Sequence, residues 1–196
     1  MPSMRSRPWR PGIPSGVFDM ARLAYGDENS SPEVRALAGR IRHERDGRLL
    51  NLYSMLLNAP PVAEGWLALF TAIRQQCTLR GDYRELVILR VALLNGAPYE
   101  YQAHVPFALR EGVTQQQIDA LEHWEDAAEL TPAQRAVLSY TDSMTREIHV
   151  PDAVFDALRG HFSRREIVEL TATIGGYNLV SRFLEALAVD PEQARA

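Results

Sequence analysis

The chain has 196 residues and a mass of 22.0 kDa, which suits one domain with a substantial core. A hydrophobic fraction of 46% and a charged fraction of 23% exclude an intrinsically disordered chain. The net charge of −4 gives no general attraction to nucleic acid, and the single cysteine, Cys77, excludes an internal disulfide.

The first 16 residues combine three arginines with four prolines and contain no apolar run long enough for a signal peptide. We therefore predict a flexible basic tail over residues 1–16 and a single all-α domain over residues 17–196. No later segment is long and apolar enough to cross a membrane. We expect a cytoplasmic protein that has no nucleic-acid partner and no membrane span.

Helical periodicity runs through almost every apolar stretch of the first half, and no stretch alternates convincingly like a strand. The clearest start signal is Ser31, which can cap a helix whose first turn holds Pro32. In a later helix, Trp66, Leu69, Phe70 and Ile73 are predicted to share one side. The predicted helices run from Ser15 or Gly16 to Tyr25, from Pro32 to near Gly47, from Leu49 to Leu57 and from Val62 to Thr78.

The second half continues the same pattern, and its turns are marked by glycine, proline and capping residues. Asp82 is predicted to cap a central helix that ends at Asn95-Gly96. The predicted helices are 83–94, 98–111, 114–123, 132–146, one that begins at Pro151, and a last one from Ser163 to near Val189. About ten helices without a sheet predict an all-α bundle.

The central helix is apolar on almost every side. From Leu86 to Leu94 its only charged side chain is Arg90. Such a helix is normally buried all round, and a monomer of this size has limited room for it. We therefore expect a homo-oligomer, with the late apolar stretch from Leu170 to Leu187 contributing to the contact.

Two similar tetrapeptides open the two most apolar helices. They are Arg84-Glu85-Leu86-Val87 and Arg165-Glu166-Ile167-Val168. The repeat predicts two related helical halves. Only the first half continues into a glutamate and a histidine, so only that half is expected to be chemically active.

Glu100 and His104 are four residues apart, which places both side chains on one face of a helix. A carboxylate beside an imidazole can hold or move a proton near neutral pH. A surface ion pair or a buried structural histidine would produce the same spacing, but the neighbours Tyr99, Tyr101 and Phe107 favour a buried site.

Two residues at the start of the central helix have two interpretations each. Glu85 is either a favourable charge at a helix N-terminus or a partner that reaches His104 and orients its ring. Arg84 is either a solvated charge or a clamp for a substrate carboxylate. The other four histidines are scattered, so neither a metal site nor a cofactor is predicted.

The segment from Arg84 to Leu121 contains three motifs, Arg-Glu-x-x-Ile-Leu-Arg-Val-Ala, Asn-Gly-x-x-Tyr-Glu-x-x-x-His and Ala-Leu-x-x-Gly-Val-Thr-x-x-Gln-Ile. In these motifs it resembles the carboxymuconolactone decarboxylase family, which includes the alkylhydroperoxidase D-like (AhpD-like) proteins. The resemblance implies an AhpD-like helical bundle that assembles as a trimer or a hexamer.

The resemblance also distinguishes two branches of the family. Peroxidase members carry Cys-x-x-Cys-x-x-x-His, and here the two cysteine positions are Ala97 and Glu100, so the thiol peroxidase mechanism is not expected. Decarboxylase members resemble the site better. They imply that His104 donates a proton, that Glu100 tunes or orients it, and that Arg84 binds a carboxylate.

We therefore predict cofactor-free lyase or proton-transfer chemistry on a small organic acid or lactone. The predicted catalytic residues are His104, Glu100 and Glu85, and the predicted substrate-binding residues are Arg84, Tyr99 and Tyr101. One alternative is a peroxidase-related oxidoreductase, which requires Cys77 near His104. The other is a non-catalytic helical binding protein in which the glutamate and histidine are structural.

Overall fold

A computed structural model of the chain describes residues 21–192, and this part is all helical, as predicted. It divides into two compact units, residues 79–182 and residues 21–78 with 183–192. The described α-helices are α1 Pro32–Glu44, α2 Asn51–Leu56, α3 Pro60–Thr71, α4 Gly81–Asn95, α5 Pro98–Arg110, α6 Gln115–Ala120, α7 Pro132–Arg146, α8 Asp152–Arg159 and α9 Arg164–Leu187.

Side-chain caps start several helices where the sequence predicts them. Ser31 accepts a hydrogen bond from the backbone N–H of Val34 at the start of α1. Thr114 and Thr131 form reciprocal capping boxes with glutamines three residues later. These local hydrogen bonds explain why the starts of α1, α6 and α7 agree with the sequence.

Two predicted features at helix starts differ from the structure. The segment from Ala21 to Tyr25 is not helical, and residues 1–20, which hold the rest of that predicted helix and the basic tail, lie outside the described residues. The central helix begins at Gly81 rather than after Asp82, because Asp82 pairs with the Arg80 side chain instead of capping the backbone.

A third difference concerns the side of α3 that is buried. Trp66, Phe70 and Ile73 are buried as predicted, but Leu69 is 44% exposed. The buried face includes Ala63 and Leu67 instead, so it lies on a different side of the helix at Leu69 from the one that the apolar pattern predicts. After α3 the chain makes a π-helical turn over Ala72–Gln76.

The unit of residues 79–182 is built around α4. Every residue from Glu85 to Ala92 is buried, which confirms the prediction of a helix surrounded on all sides. Gly96 ends α4 in the left-handed conformation, with φ of 63°, and α5 starts at Pro98. This short turn makes α4 and α5 an αα-hairpin, so side chains from the two helices can meet.

The only charged side chain in the apolar stretch of α4 is neutralised inside the unit. Arg90 donates to both carboxylate oxygens of Asp142 on α7, at 2.7 and 2.6 Å, and to the backbone carbonyl of Leu121 at 2.6 Å. The Trp124 indole N–H also points to Asp142, at 3.4 Å. A planar guanidinium suits this two-pronged contact, which ties α4 to α7.

The unit of residues 21–78 and 183–192 has its own aromatic core. The Trp66 ring lies 5.1 Å from Phe70 and 5.2 Å from Phe183. Arg45 donates to the Tyr53 hydroxyl and to Thr71 within this unit. The prediction of one domain over residues 17–196 stays a prediction.

Over residues 21–192, no helix combines the length and the apolar character that a membrane span requires. The cytoplasmic location and the assembly into a homo-oligomer stay predictions.

Candidate active site

The α4–α5 hairpin brings Glu85 and His104 together. Glu85 lies in the second turn of α4, and His104 lies in the middle of α5. The Glu85 Oε2 atom is 2.7 Å from His104 Nδ1. The sequence left open whether Glu85 serves the helix end or reaches the imidazole, and the structure shows contact with the imidazole.

Glu100 occupies the other side of the same ring. Its Oε1 atom is 3.1 Å from His104 Nε2, one turn along α5. The exposed fractions are 1% for Glu85, 4% for Glu100 and 4% for His104. The interpretation of Glu100 and His104 as a surface ion pair is therefore wrong for this chain, because both side chains are buried.

Both ring nitrogens of His104 therefore face a carboxylate. A neutral imidazole has only one N–H, so it can donate to only one of the two acids. Its other nitrogen would then present a lone pair to a carboxylate oxygen. Both contacts are hydrogen bonds only when the ring is protonated or when one acid holds a proton. The cluster of Glu85, His104 and Glu100, here called the triad, thus stores an acidic proton out of water.

The electrostatics of the triad favour a protonated ring. Burial by itself lowers the pKa of His104, but the charge of Glu85, the hydrogen bonds with Glu100 and Glu85, and the charge of Glu100 together outweigh it. The net result is a His104 pKa above its usual value. A raised pKa favours the protonated ring, which is the form that can act as a general acid.

Arg84 approaches the triad from the side of Glu85. Its Nε donates to Glu85 Oε1 at 3.2 Å, and one terminal nitrogen donates to Glu111 Oε1 at 3.1 Å. The interpretation of Arg84 as a solvated charge is wrong, because only 12% of its side chain is exposed. The predicted clamp for a substrate carboxylate is not tested by these contacts.

The two predicted tyrosines are both buried. Tyr101 belongs to an apolar cluster that includes Leu86, Leu89 and Leu121. The pKa of Tyr101 is raised, first by burial and then by the charges of Asp119 and Glu122. Tyr99 precedes Glu100 in the first turn of α5 and is 8% exposed.

Two further aromatic rings contact His104. Tyr177 from α9 meets the imidazole edge-on at 5.2 Å, and Phe107 lies 5.5 Å away. Sequence reasoning named Phe107 as a neighbour but missed Tyr177 and Glu111. Tyr177 comes from a distant helix, and no local spacing marks it. Glu111 looked like an ordinary charged residue at a helix end.

Cys77, which the peroxidase alternative requires, follows the π-helical turn in the unit of residues 21–78 and 183–192, whereas His104 belongs to the other unit. Among residues 21–192, no group of three or more histidine, cysteine, aspartate or glutamate side chains is arranged to hold a metal ion.

The site lies within a stretch that matches a known family. The model of the carboxymuconolactone decarboxylase family matches residues 60–143, which include Arg84, Glu85, Glu100 and His104. Residues 60–143 belong to the carboxymuconolactone decarboxylase family. The resemblance drawn from the motifs between Arg84 and Leu121 is thereby confirmed.

Two proteins are similar to this chain over more than half of its length. The uncharacterized protein YdfG of Bacillus subtilis (strain 168) is 27% identical over 115 residues, which is 58% of this chain and 78% of YdfG. A crystal structure from Agrobacterium tumefaciens is 28% identical, covers 69% of this chain and 94% of its own, and has a TM-score of 0.65. It is described as a protein of unknown function with a suggested role as the antioxidant defence protein AhpD.

More distant structures show that this chain has an AhpD-like fold. An uncharacterized peroxidase-related protein from Ralstonia eutropha JMP134 has a TM-score of 0.77 at 20% identity, covering 91% of this chain and 95% of its own. A cysteine-to-alanine variant of the debrominase Bmp8, in complex with 2,3,4-tribromopyrrole, has a TM-score of 0.72 at 19% identity, covering 89% of this chain and 92% of its own. At these identities the likeness concerns the fold alone.

Proposed function

We propose that this protein catalyses cofactor-free proton transfer on a small organic acid or lactone, as a lyase of the decarboxylase type. The observation that carries the proposal is the buried His104 ring with a carboxylate at each nitrogen. Such a group can protonate a carbanion without a metal or an organic cofactor. Membership of residues 60–143 in the carboxymuconolactone decarboxylase family supports the substrate class.

The proposed reaction uses His104 as the acid. The bond between the substrate carboxylate and the adjacent carbon breaks, carbon dioxide leaves, and the electron pair stays on that carbon as an enolate of the lactone carbonyl. His104 then gives a ring proton to the carbon, and a proton from water restores the imidazolium. Glu85 and Glu100 stabilise the charged ring before the transfer.

The two carboxylates have different proposed roles because their contacts differ in length. The 2.7 Å contact with Glu85 holds the Nδ1 side of the ring and sets its orientation. The 3.1 Å contact with Glu100 is the longer one. We therefore assign the Nε2 proton to the substrate, with Glu100 turning aside as the substrate carbon takes its place.

Substrate binding by Arg84, Tyr99 and Tyr101 stays a prediction. Two guanidinium nitrogens of Arg84 already bind Glu85 and Glu111, so a substrate carboxylate would have to use the third or displace a glutamate. The packing of Tyr101 in the apolar cluster favours a structural contribution from that ring.

The test is to incubate the protein with carboxymuconolactone and a panel of related lactone acids. Release of carbon dioxide and uptake of deuterium from heavy water at the reacting carbon are measured together. We expect turnover that falls about 10²- to 10⁴-fold in His104→Gln, the usual contribution of a general acid. The matched control is His149→Gln, because His149 is exposed. Equal activity in both variants would contradict the proposal.

The same variants separate the two alternatives. A peroxidase-related oxidoreductase that uses Cys77 beside His104 would reduce hydroperoxides and would lose that activity in Cys77→Ser, whereas the proposed lyase would keep its turnover in that variant. A non-catalytic binding protein would show no turnover of any acid or hydroperoxide, and His104→Gln would leave ligand binding unchanged.

A further inference from the structure

The triad is the inner end of a longer row of charges. Beginning at the surface, the row runs Glu111, Arg84, Glu85, His104 and Glu100, and the charges alternate when the ring is protonated. The successive contacts measure 3.1, 3.2, 2.7 and 3.1 Å. The proposed chemistry uses the inner three residues and assigns no role to Glu111, whose side chain is 44% exposed.

The carboxylate of Glu111 occupies a position, here called its seat, that is open only because residue 81 is a glycine. Glu111 follows α5 directly, and its carboxylate rests against the bare Cα of Gly81, the first residue of α4. A methyl group at Gly81 would overlap the carboxylate of Glu111. The overlapping atoms are the far end of a flexible side chain, so an alanine there would move Glu111 rather than the backbone.

In this seat Glu111 competes with Glu85 for the same guanidinium. Arg84 donates to both carboxylates at nearly equal distances, so the positive charge of its guanidinium is shared between them. Without Glu111 in its seat, Arg84 would turn fully to Glu85, the remaining partner. A Glu85 carboxylate that is more strongly bound by arginine holds an imidazolium less firmly.

We propose that Glu111 is a positioning residue, which shares Arg84 with Glu85 and thereby leaves Glu85 able to hold the protonated ring of His104. The catalytic meaning of this arrangement rests on the proposed function, but the arrangement itself does not. His104 also faces Tyr177 from α9, and the other charged groups of the row are those already named.

The test is a pH titration of the His104 ring by NMR, with its signal among the five histidines assigned from His104→Gln. We expect a lower His104 pKa in Glu111→Gln and also in Gly81→Ala, which keeps the charge but removes the seat. The double variant should show no further drop beyond the larger single effect, because both changes act through one contact.

Two controls match these changes. Asp156→Asn removes an exposed carboxylate that is paired with Arg159 at 3.0 Å, and Gly160→Ala adds a methyl group where there is room. An unchanged or raised His104 pKa in Glu111→Gln would overturn the proposal, as would additive effects in the double variant. If Gly81→Ala fails to fold, Glu111→Gln decides alone, because that side chain is partly exposed.

These measurements need no substrate, so they distinguish failure of this inference from failure of the proposed function. Where turnover is found, the alkaline limb of the pH-rate profile should move to lower pH in both single variants. A fall of one unit in the pKa lowers the ratio of protonated to neutral ring about tenfold at a given pH. A loss of activity without that movement would indicate a merely structural defect.

Discussion

At the scale of single residues, the site consists of three ionisable side chains that share protons, those of Glu85, His104 and Glu100. A single charge on any one of them would be unfavourable at a position shielded from water. Glu85 and Glu100 are almost fully buried, and the imidazole between them compensates their charge when it is protonated, while Arg84 also pairs with Glu85. The pKa of His104 is in turn raised because the two acids outweigh the cost of its burial. The ring and the two acids therefore stabilise one another.

This dependence has a measurable effect on stability. The folded pKa of His104 is raised above the ordinary histidine value of about 6.5, so its stabilising contribution is complete below about pH 6.5 and is lost as pH rises through the folded pKa. We expect the free energy of unfolding to fall as the pH rises from about 6.5 through the folded pKa, by at most about 1.4 kcal/mol per pH unit from this group. Urea unfolding across that range measures it.

The reference for that measurement is the double variant Glu85→Gln with His104→Gln. It keeps amide groups that can form hydrogen bonds but removes the titrating pair. Other groups titrate equally in both proteins, so the reference should lose less stability over the same pH range. If the free energy of unfolding changes with pH in the same way in both proteins, His104 gains no proton affinity on folding.

At the scale of secondary-structure elements, the glutamates of the two similar tetrapeptides make different contacts. Glu85 reaches the imidazole, whereas Glu166 closes a cap with Ser163 at the start of α9. The buried carboxylate of α9 is instead Glu169, which accepts from the backbone N–H of Leu79 at 2.8 Å. The expectation of a single chemically active half and the relation between the halves both stay predictions.

The packing of α4 against α7 gives a prediction at the same scale. Arg90→Met leaves the buried Asp142 without its two-pronged partner, and removal of one partner of such a pair costs about 3–5 kcal/mol. Adding Asp142→Leu should recover much of the loss, because an apolar pair needs no compensating charge. Urea unfolding of the single and double variants measures both effects.

The control for the packing prediction is Arg159→Met. That arginine pairs with Asp156 on the surface, where such pairs contribute roughly 0–1 kcal/mol. If Arg90→Met lowers the free energy of unfolding by as little as Arg159→Met does, the buried pair does not hold α4 to α7.

At the scale of the whole molecule, the open question is self-association. Several apolar side chains are exposed in the described chain, including Val168 at 67% and Leu179 at 47%, both on α9. Exposed apolar residues on one long helix are compatible with a subunit contact, although scattered ones also occur on monomers. The prediction of a trimer or hexamer therefore needs a direct measurement.

We expect light scattering after size exclusion to give three or six times the chain mass of 22.0 kDa. Leu179→Glu, which places a charge on the late apolar helix, should shift the mass towards that of one chain. Ile148→Glu is the control, because Ile148 is 94% exposed and lies outside α9. A mass of 22.0 kDa at every concentration would contradict the oligomer.

The sequence by itself determined the helical class, most helix starts and the pairing of Glu100 with His104. These features depend on neighbours within about four residues, such as the caps at Ser31, Thr114 and Thr131. The exposure of Leu69 shows the limit of that reasoning, because the side of a helix that is buried depends on what packs against it.

Only the tertiary structure decided between the two interpretations of Glu85, added Tyr177 to the site and showed that Arg84 is shared with Glu111. Each of these contacts joins residues from different helices or from a helix and the turn that follows its neighbour. Local spacing carries no information about such contacts, since they arise from how α4, α5 and α9 pack. The proton stored at His104 is therefore a property of the fold, although its two nearest acids could be named beforehand.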